Sequence, residues 1–328
     1  MQGVRVPVDC VQFGDAVDRD ERVGQRRLAL AGADDEIGAT RNRSRAGGAR
    51  PVAGGTDLVV GARQGKAPLP DALVAIHGLA ELRGIGETSG GGLRIGALVS
   101  HSELVAHPAV RHRYTAIADA SAIVGSHATR HVGTLGGNVM NASPAMETGG
   151  PLICFGAEAV LASQSGERRV AVESLLTGPG RTDARPEELL VAIELPAVSG
   201  GSCYARLEYR RQMEIAVVGA TCSVTLDGAG IESARVAITA LTPRIVRVPA
   251  AEAALAGSDG GADAVQAAAD AAAAASQPIS DVRASADYRR AMAAVIARRA
   301  VAAAIARARG SSESVPIPAS PALHGADS

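Results

Sequence analysis

The chain has 328 residues, enough for two or three packed units with a sizeable core, and 47% apolar against 20% charged residues is a globular balance. A net charge of -1 gives no electrostatic reason to seek nucleic acid as a partner. Cys10, Cys154, Cys203 and Cys222 lie far apart with no Cys-x-x-Cys pair, which argues against a disulfide framework or an iron-sulfur cluster held by this chain. No apolar run of about 18 residues marks a membrane span, and charged residues stand where a signal peptide would place its apolar stretch. The expectation is a soluble, cytoplasmic protein.

Residues 1–49 are an atypical N-terminal segment: Arg, Asp and Gly interrupt every candidate period, and Gly38 to Gly48 reads as loop or disorder. Regularity begins at Pro51. Short β-prone runs (Leu73 to Ile76, Leu93 to Ile95, Ala159 to Leu161, Leu189 to Leu195) alternate with helical stretches at Ser100 to Ala106 and Tyr114 to Ile123, a mixed α and β domain over residues 50–198. Pro196 to Ser202 is rich in Pro, Gly and Ser and separates it from a second domain, residues 203–309. There Tyr204 to Arg211, Val217 to Leu226 and Ile231 to Leu241 read as three strands, with a hairpin signal at Asp227-Gly228. Ala-rich helices follow at Ala262 to Ser276 and Ser285 to Arg309, the second with Ser285 as N-cap and Gly310 as its stop. The Ser- and Pro-rich tail, residues 310–328, reads as disordered.

Two glycine loops carry the chemistry. Ala53, Gly54, Gly55, Thr56, Asp57 and Leu58 form the first, and Thr134, Leu135, Gly136, Gly137 and Asn138 the second. Paired glycines let backbone approach a ligand and aim consecutive N–H groups at an anion, so two such nests can grip a pyrophosphate without Lys or Arg. Either loop alone is more often an ordinary turn. Competing nucleotide motifs fail on spacing: Gly84-Ile85-Gly86 lacks a third glycine, and Gly61 to Lys66 is too short for a phosphate loop. His127 and His131 have the spacing of a metal pair on a helix, but no further ligands are evident. Arg210, Arg211 and Glu214 fit either a solvated strand end or a docking surface.

Taken with three further segments in order, the loops bring out a family. "ARPVAGGTDLVVGAR", "GTLGGNVMNASPAMET", "GPGRTDARPEELLVAIELP", "EYRRQMEIAVVGA" and "ISDVRASADYRRAMAAVIARRA" resemble the FAD-binding medium subunit of molybdenum hydroxylases such as xanthine dehydrogenase and carbon monoxide dehydrogenase. The resemblance runs from Pro51 to Arg309. It implies an α+β fold: a two-subdomain FAD-binding domain, related to that of vanillyl-alcohol oxidase, then a small C-terminal domain of a three-stranded sheet with helices. It implies FAD as cofactor, with both loops on its pyrophosphate and ribose. Glu147, standing where the family usually has Asp, is implied close to the flavin, Leu190 near the isoalloxazine, and Arg206 where some relatives place Lys beside the ring. The implied assembly is a dimer of heterotrimers with a small [2Fe-2S] subunit and a large molybdopterin subunit. Electrons would pass from the clusters to the flavin, then to NAD, a quinone or oxygen. A stand-alone FAD-dependent oxidase or reductase, and a non-catalytic module with a decayed flavin site, are the alternatives.

Overall fold

The structure is a computed structural model, and it describes residues 28–30, 50–63, 65, 70, 72–210, 212–311 and 315–316. Most of the N-terminal segment, Cys10, Lys66, Arg211 and most of the C-terminal tail lie outside these residues.

A small parallel sheet comes first, in the order β1-β3-β2, from β1 (Leu28–Leu30), β2 (Arg50–Val52) and β3 (Leu73–Ala75). Parallel neighbours need a crossover, and α1 (Thr56–Arg63) lies on the one that joins β2 to β3. The first glycine loop is therefore the turn between a strand end and a helix start. Strand β1 corrects the reading of residues 1–49 as lacking any element. A three-residue "LAL" is too short to establish a period, and it becomes a strand through its pairing with β3.

Next comes an antiparallel five-stranded sheet in the order β4-β5-β10-β6-β7, from β4 (Ile85–Glu87), β5 (Leu93–Gly96), β6 (Glu158–Ser163), β7 (Gly166–Ala171) and β10 (Leu189–Leu195). Central β10 has every residue buried except Glu194, which is half-buried and paired to Arg94 of the adjacent β5 and to Arg169 of the edge strand β7. Six helices intervene between β5 and β6: α2 (His101–Ala106), α3 (Pro108–Arg113), α4 (Thr115–Ile123), α5 (His127–Val132), α6 (Leu135–Asn141) and α7 (Gly149–Cys154). Ser100 begins α2 with a capping box closed by Glu103. Before β10 run α8 (Val172–Leu175), β8 (Leu176–Gly178) and β9 (Arg181–Thr182).

The C-terminal domain has the three expected long strands, β11 (Gly201–Leu207), β12 (Val218–Asp227) and β13 (Gly230–Thr239), and a two-residue fourth, β14 (Val246–Arg247). The expected strand from Tyr204 to Arg211 is shifted toward the N-terminus. It starts at Gly201 and ends at Leu207, and the chain then turns away through Met213 at φ +53. Helices α9 (Pro249–Leu255), α10 (Ala262–Ala274) and α11 (Ala286–Ala308) cover one face. Ser285 caps α11 by accepting from the Tyr288 N–H, and Gly310 at φ +86 follows its end. Alternation divides the sheet. Cys203, Ala205, Ala220, Cys222, Val236 and Ile238 pack with the helices. Ser202, Tyr204, Arg206, Gly219, Thr221 and Thr239 line the other face, toward α4 and α7 of the first domain.

Candidate functional site

At the first loop the earliest helical bond is Val59 N–H to Gly55 O. The N–H groups of Thr56, Asp57 and Leu58 thus have no intrahelical acceptor, as at any helix start. Gly55 sits at φ +70, a conformation that suits glycine, and turns the chain from β2 into α1. This is the geometry of an anion nest.

The second loop is built differently from the nest expected of it. Leu135 N–H is bonded to Val99 O, Gly136 N–H to Ala97 O, Gly137 N–H to Thr134 Oγ1 and Asn138 N–H to Thr134 O. Each of these donors already has an acceptor within the protein: Thr134, the N-cap of α6, takes the last two, and the segment after β5 takes the first two. Its glycines provide room instead. A Cβ on Gly136 would lie 2.6 Å from Ala97 O and 2.7 Å from Ala97 Cβ, whereas one on Gly137 would meet only Thr134 Oγ1, at 3.0 Å. Gly136 serves packing against the end of β5, and Gly137 leaves a bare backbone surface.

The two loops touch. A Cβ on Gly54 would fall 2.1 Å from Val132 O, two residues before Thr134, so this glycine permits the first loop to lie on the chain leading into the second. From the second loop a hydrogen bond runs on to the third segment, Thr148 Oγ1 donating to Asn138 Oδ1 at 2.6 Å. Beside Thr148 stands Glu147, which binds Arg206 of β11, Nη1 to Oε1 at 2.5 Å. Glu208 holds the same guanidinium at Nε, 2.7 Å away. Glu147 and Arg206, single positions in the sequence, are thus one buried ion pair, 7% and 2% exposed.

Burial raises the Glu147 carboxyl pKa to about 6 against the opposing pull of Arg206, and the charge of Asp57 adds to the rise. That last effect places the start of α1 within electrostatic reach of the pair. Asp57 itself is raised by desolvation. For Arg206, burial works against the charge, but Glu147, Tyr204 and Glu208 outweigh it and the pKa is raised, so the guanidinium stays charged. Leu190 lies inside the first domain's core, which it shares with Leu135 of the second loop. His127 and His131 stack edge to face on α5, ring centroids 4.9 Å apart, and among the described residues no metal-sized group of His, Cys, Asp and Glu includes them. Arg210 pairs with Glu214 at 3.1 Å in the loop after β11. Thr148, Glu208 and Val132 escaped the sequence reading. Glu208 had a signal, since period 2 puts it on the face of Arg206.

An orphaned donor set at a helix start, a left-handed glycine, a bare Gly137 and an adjoining charged pair fit an anionic dinucleotide carrying a polar ring. The comparisons with known proteins agree. Residues 33–198 match the family of the FAD binding domain in molybdopterin dehydrogenase, and residues 203–304 the CO dehydrogenase flavoprotein C-terminal domain. The chain belongs to this family: it is an FAD-binding medium subunit of the molybdenum hydroxylase type, an oxidoreductase component whose cofactor is FAD. It is 32% identical to the carbon monoxide dehydrogenase medium chain of Hydrogenophaga pseudoflava, over 70% of this chain and 80% of that one. To the xanthine dehydrogenase FAD-binding subunit of Escherichia coli O157:H7 it is 27% identical, over 74% of this chain and 83% of the relative. Among solved structures, the reconstituted CO dehydrogenase from Oligotropha carboxidovorans superposes with a TM-score of 0.81 at 29% identity, covering 87% of this chain and 99% of that one. No helix among the described residues is long and apolar enough to cross a membrane.

Proposed function

We propose that this chain is the flavin station of a three-subunit molybdenum hydroxylase, taking electrons from [2Fe-2S] clusters on a small partner subunit and delivering them to NAD, a quinone or oxygen. A large molybdopterin subunit would carry the substrate chemistry, in a dimer of heterotrimers. Bound FAD supplies a carrier able to accept and release electrons singly or in pairs. Ala53 to Leu58 hold the pyrophosphate with the N–H groups at the start of α1, and Thr134 to Asn138 present the Gly137 backbone to the ribose side. Arg206, kept charged and held in place by Glu147 and Glu208, stands beside the ring, and Leu190 backs the ring from the core. The observation that carries the proposal is the first glycine loop lying on the chain that leads into the second, with Asn138 of the second bonded to Thr148 beside the Glu147–Arg206 pair.

Flavin retention of two variants tests the site. Gly137→Val should fold and lose FAD by on the order of tenfold or more in affinity, equivalent to about 1.4 kcal/mol. Gly136→Ala should instead lose stability, by about 1–3 kcal/mol, from its clash with Ala97. Full flavin content in Gly137→Val, read from flavin absorbance per chain, would remove the second loop from the site. Turnover of a small substrate by the isolated FAD-loaded chain, without partner subunits, would favour a stand-alone oxidase.

A further inference from the structure

Where the polar face of the C-terminal sheet meets the first domain, most of its groups are satisfied across the seam. Ser202 Oγ accepts from Ala116 N–H at 3.1 Å, Tyr204 N–H donates to Asp119 at 3.1 Å, Arg235 reaches Cys154 O at 3.5 Å, and Arg206 binds Glu147. Three hydroxyls in the middle differ. Tyr204 Oη, Thr221 Oγ1 and Thr239 Oγ1 are buried without a hydrogen-bond partner among the described residues. These side chains belong to residues 1%, 0% and 0% exposed. An unpaired buried hydroxyl costs about 1–3 kcal/mol, so three in one place call for an acceptor or donor that the described residues do not provide.

The three converge. Tyr204 and Thr221 are register partners on β11 and β12, and Thr239 on β13 is the partner of Gly219. A Cβ on Gly219 would lie 2.9 Å from Tyr204 Oη and 3.0 Å from Thr239 Cβ. From the opposite side, a Cβ on Gly150 of α7 would lie 2.5 Å from Thr221 Oγ1 and 3.2 Å from Thr239 Oγ1. Both sides of the seam thus present glycine to the hydroxyls, and a larger residue at either position would intrude on them. Gly150 is three residues beyond Glu147, and the charges of Glu147 and Arg206 both act on the Tyr204 phenol.

We propose that Tyr204, Thr221 and Thr239 form a buried water-binding site in the domain seam, behind the Glu147–Arg206 pair. Water is the ligand whose chemistry fits. It both donates and accepts, it can serve two to four polar groups at once, and it is the smallest ligand that does so. Three hydroxyls lying on three strands are more than a packing accident requires, since Val would fill the place of either Thr without a polar atom. The site hydrates the interior side of the seam, so the ion pair next to the flavin has a polar backing and not a hydrocarbon one. This assignment stands on the seam's own geometry and holds whichever electron acceptor the assembly uses.

A crystal structure of the FAD-loaded chain, alone or in its complex, tests it directly together with the melting of two near-isosteric variants. Ordered-water density within hydrogen-bond distance of at least two of the three hydroxyls is expected. Thr221→Val and Thr239→Val should each lower Tm by about 2–4 °C, because removing one hydroxyl strips a ligand from the water. Hydroxyls bonded directly to one another with no density between them would overturn the proposal. So would a Thr→Val variant as stable as the parent or more so, the result expected where an orphaned hydroxyl is simply replaced by a methyl. Should either Val variant fail to fold, Tyr204→Phe, which removes only an oxygen, provides the same comparison.

Discussion

His101 and Glu147 are both buried ionisable residues, and their effects on stability run in opposite directions with pH. His101, 1% exposed at the start of α2, is lowered from 6.5 to about 4 by burial and then by the charge of Arg130. As pH falls from 6.5 toward 4 the unfolded chain takes up a proton that the folded His101 refuses, so stability is lost over that window, in all about 3 kcal/mol. Glu147 is raised from 4.5 to about 6, so as pH rises through that window the unfolded chain releases its proton first and stability is lost in the opposite sense. Glu147→Gln removes the second effect and leaves the first. Relative to the parent, the cofactor-free variant should gain stability with rising pH between 4.5 and 6 more steeply, by about 0.8 kcal/mol per unit. Urea midpoints at several pH values measure this, and parallel curves would deny Glu147 its perturbed carboxyl. The candidate site's residues stand one by one in the motifs; their relations do not. Sequence places Glu147 and Arg206 beside a flavin separately, since a contact across 59 residues leaves no local period. Nor does "TLGG" disclose that its N–H groups are occupied, because their acceptors Ala97 and Val99 belong to another segment.

At the scale of elements, long periodic segments were legible and short ones were not. Strand β10 spans Leu189–Leu195 as its apolar run predicts, and the Ser285 cap fixes the start of α11. Thr56–Arg63 forms a helix although "TDLVVGAR" reads as an apolar run, because the turn at Gly55 decides its course. What the alanines of α11 do was also hidden. They are strong helix formers, but Ala293, Ala297, Ala300 and Ala304 are all buried, and their small size brings the helix down onto the sheet. A Cβ on Gly201 would lie 2.3 Å from both Ala304 O and Ala308 N, so β11 and α11 meet backbone to backbone. Gly201→Ala should therefore cost about 1–3 kcal/mol by forcing the helix away. Gly61→Ala is the control: inside α1, with nothing within 4 Å of the added Cβ, it should stabilise by about 0.5–1 kcal/mol. Equal stability of the two proteins in denaturant titrations would refute the close contact.

Among the described residues two large hydrophobic cores lie mainly one in each family domain, with a smaller third around Leu79, Leu82 and Val160, and the composition break expected at residues 196–202 does not show how firmly the two large ones are joined. The join is polar and buried. Arg307, near the end of α11, forks onto Asp119 of α4 at 2.5 and 2.9 Å and also donates to Ser202 O at 2.7 Å. Asp119 is 0% exposed, and its carboxyl is raised by burial despite the hydrogen bond and charge of Arg307, so most of what keeps it ionised comes from the other domain. Tyr114 Oη adds a bond to Pro196 O at 2.7 Å, pinning the connecting segment. Such a seam should make the domains unfold together. Arg307→Met leaves a buried carboxylate without its cation, an imbalance worth about 3–5 kcal/mol, whereas removing both charges is close to neutral. Calorimetry should therefore show one transition for the parent and a lower one, broadened or split, for Arg307→Met. Adding Asp119→Leu should recover at least half of the loss, because the buried charge goes with its partner. A single variant that melts like the parent would mean that the seam is held by packing alone, with the ion pair contributing nothing to the coupling of the two cores.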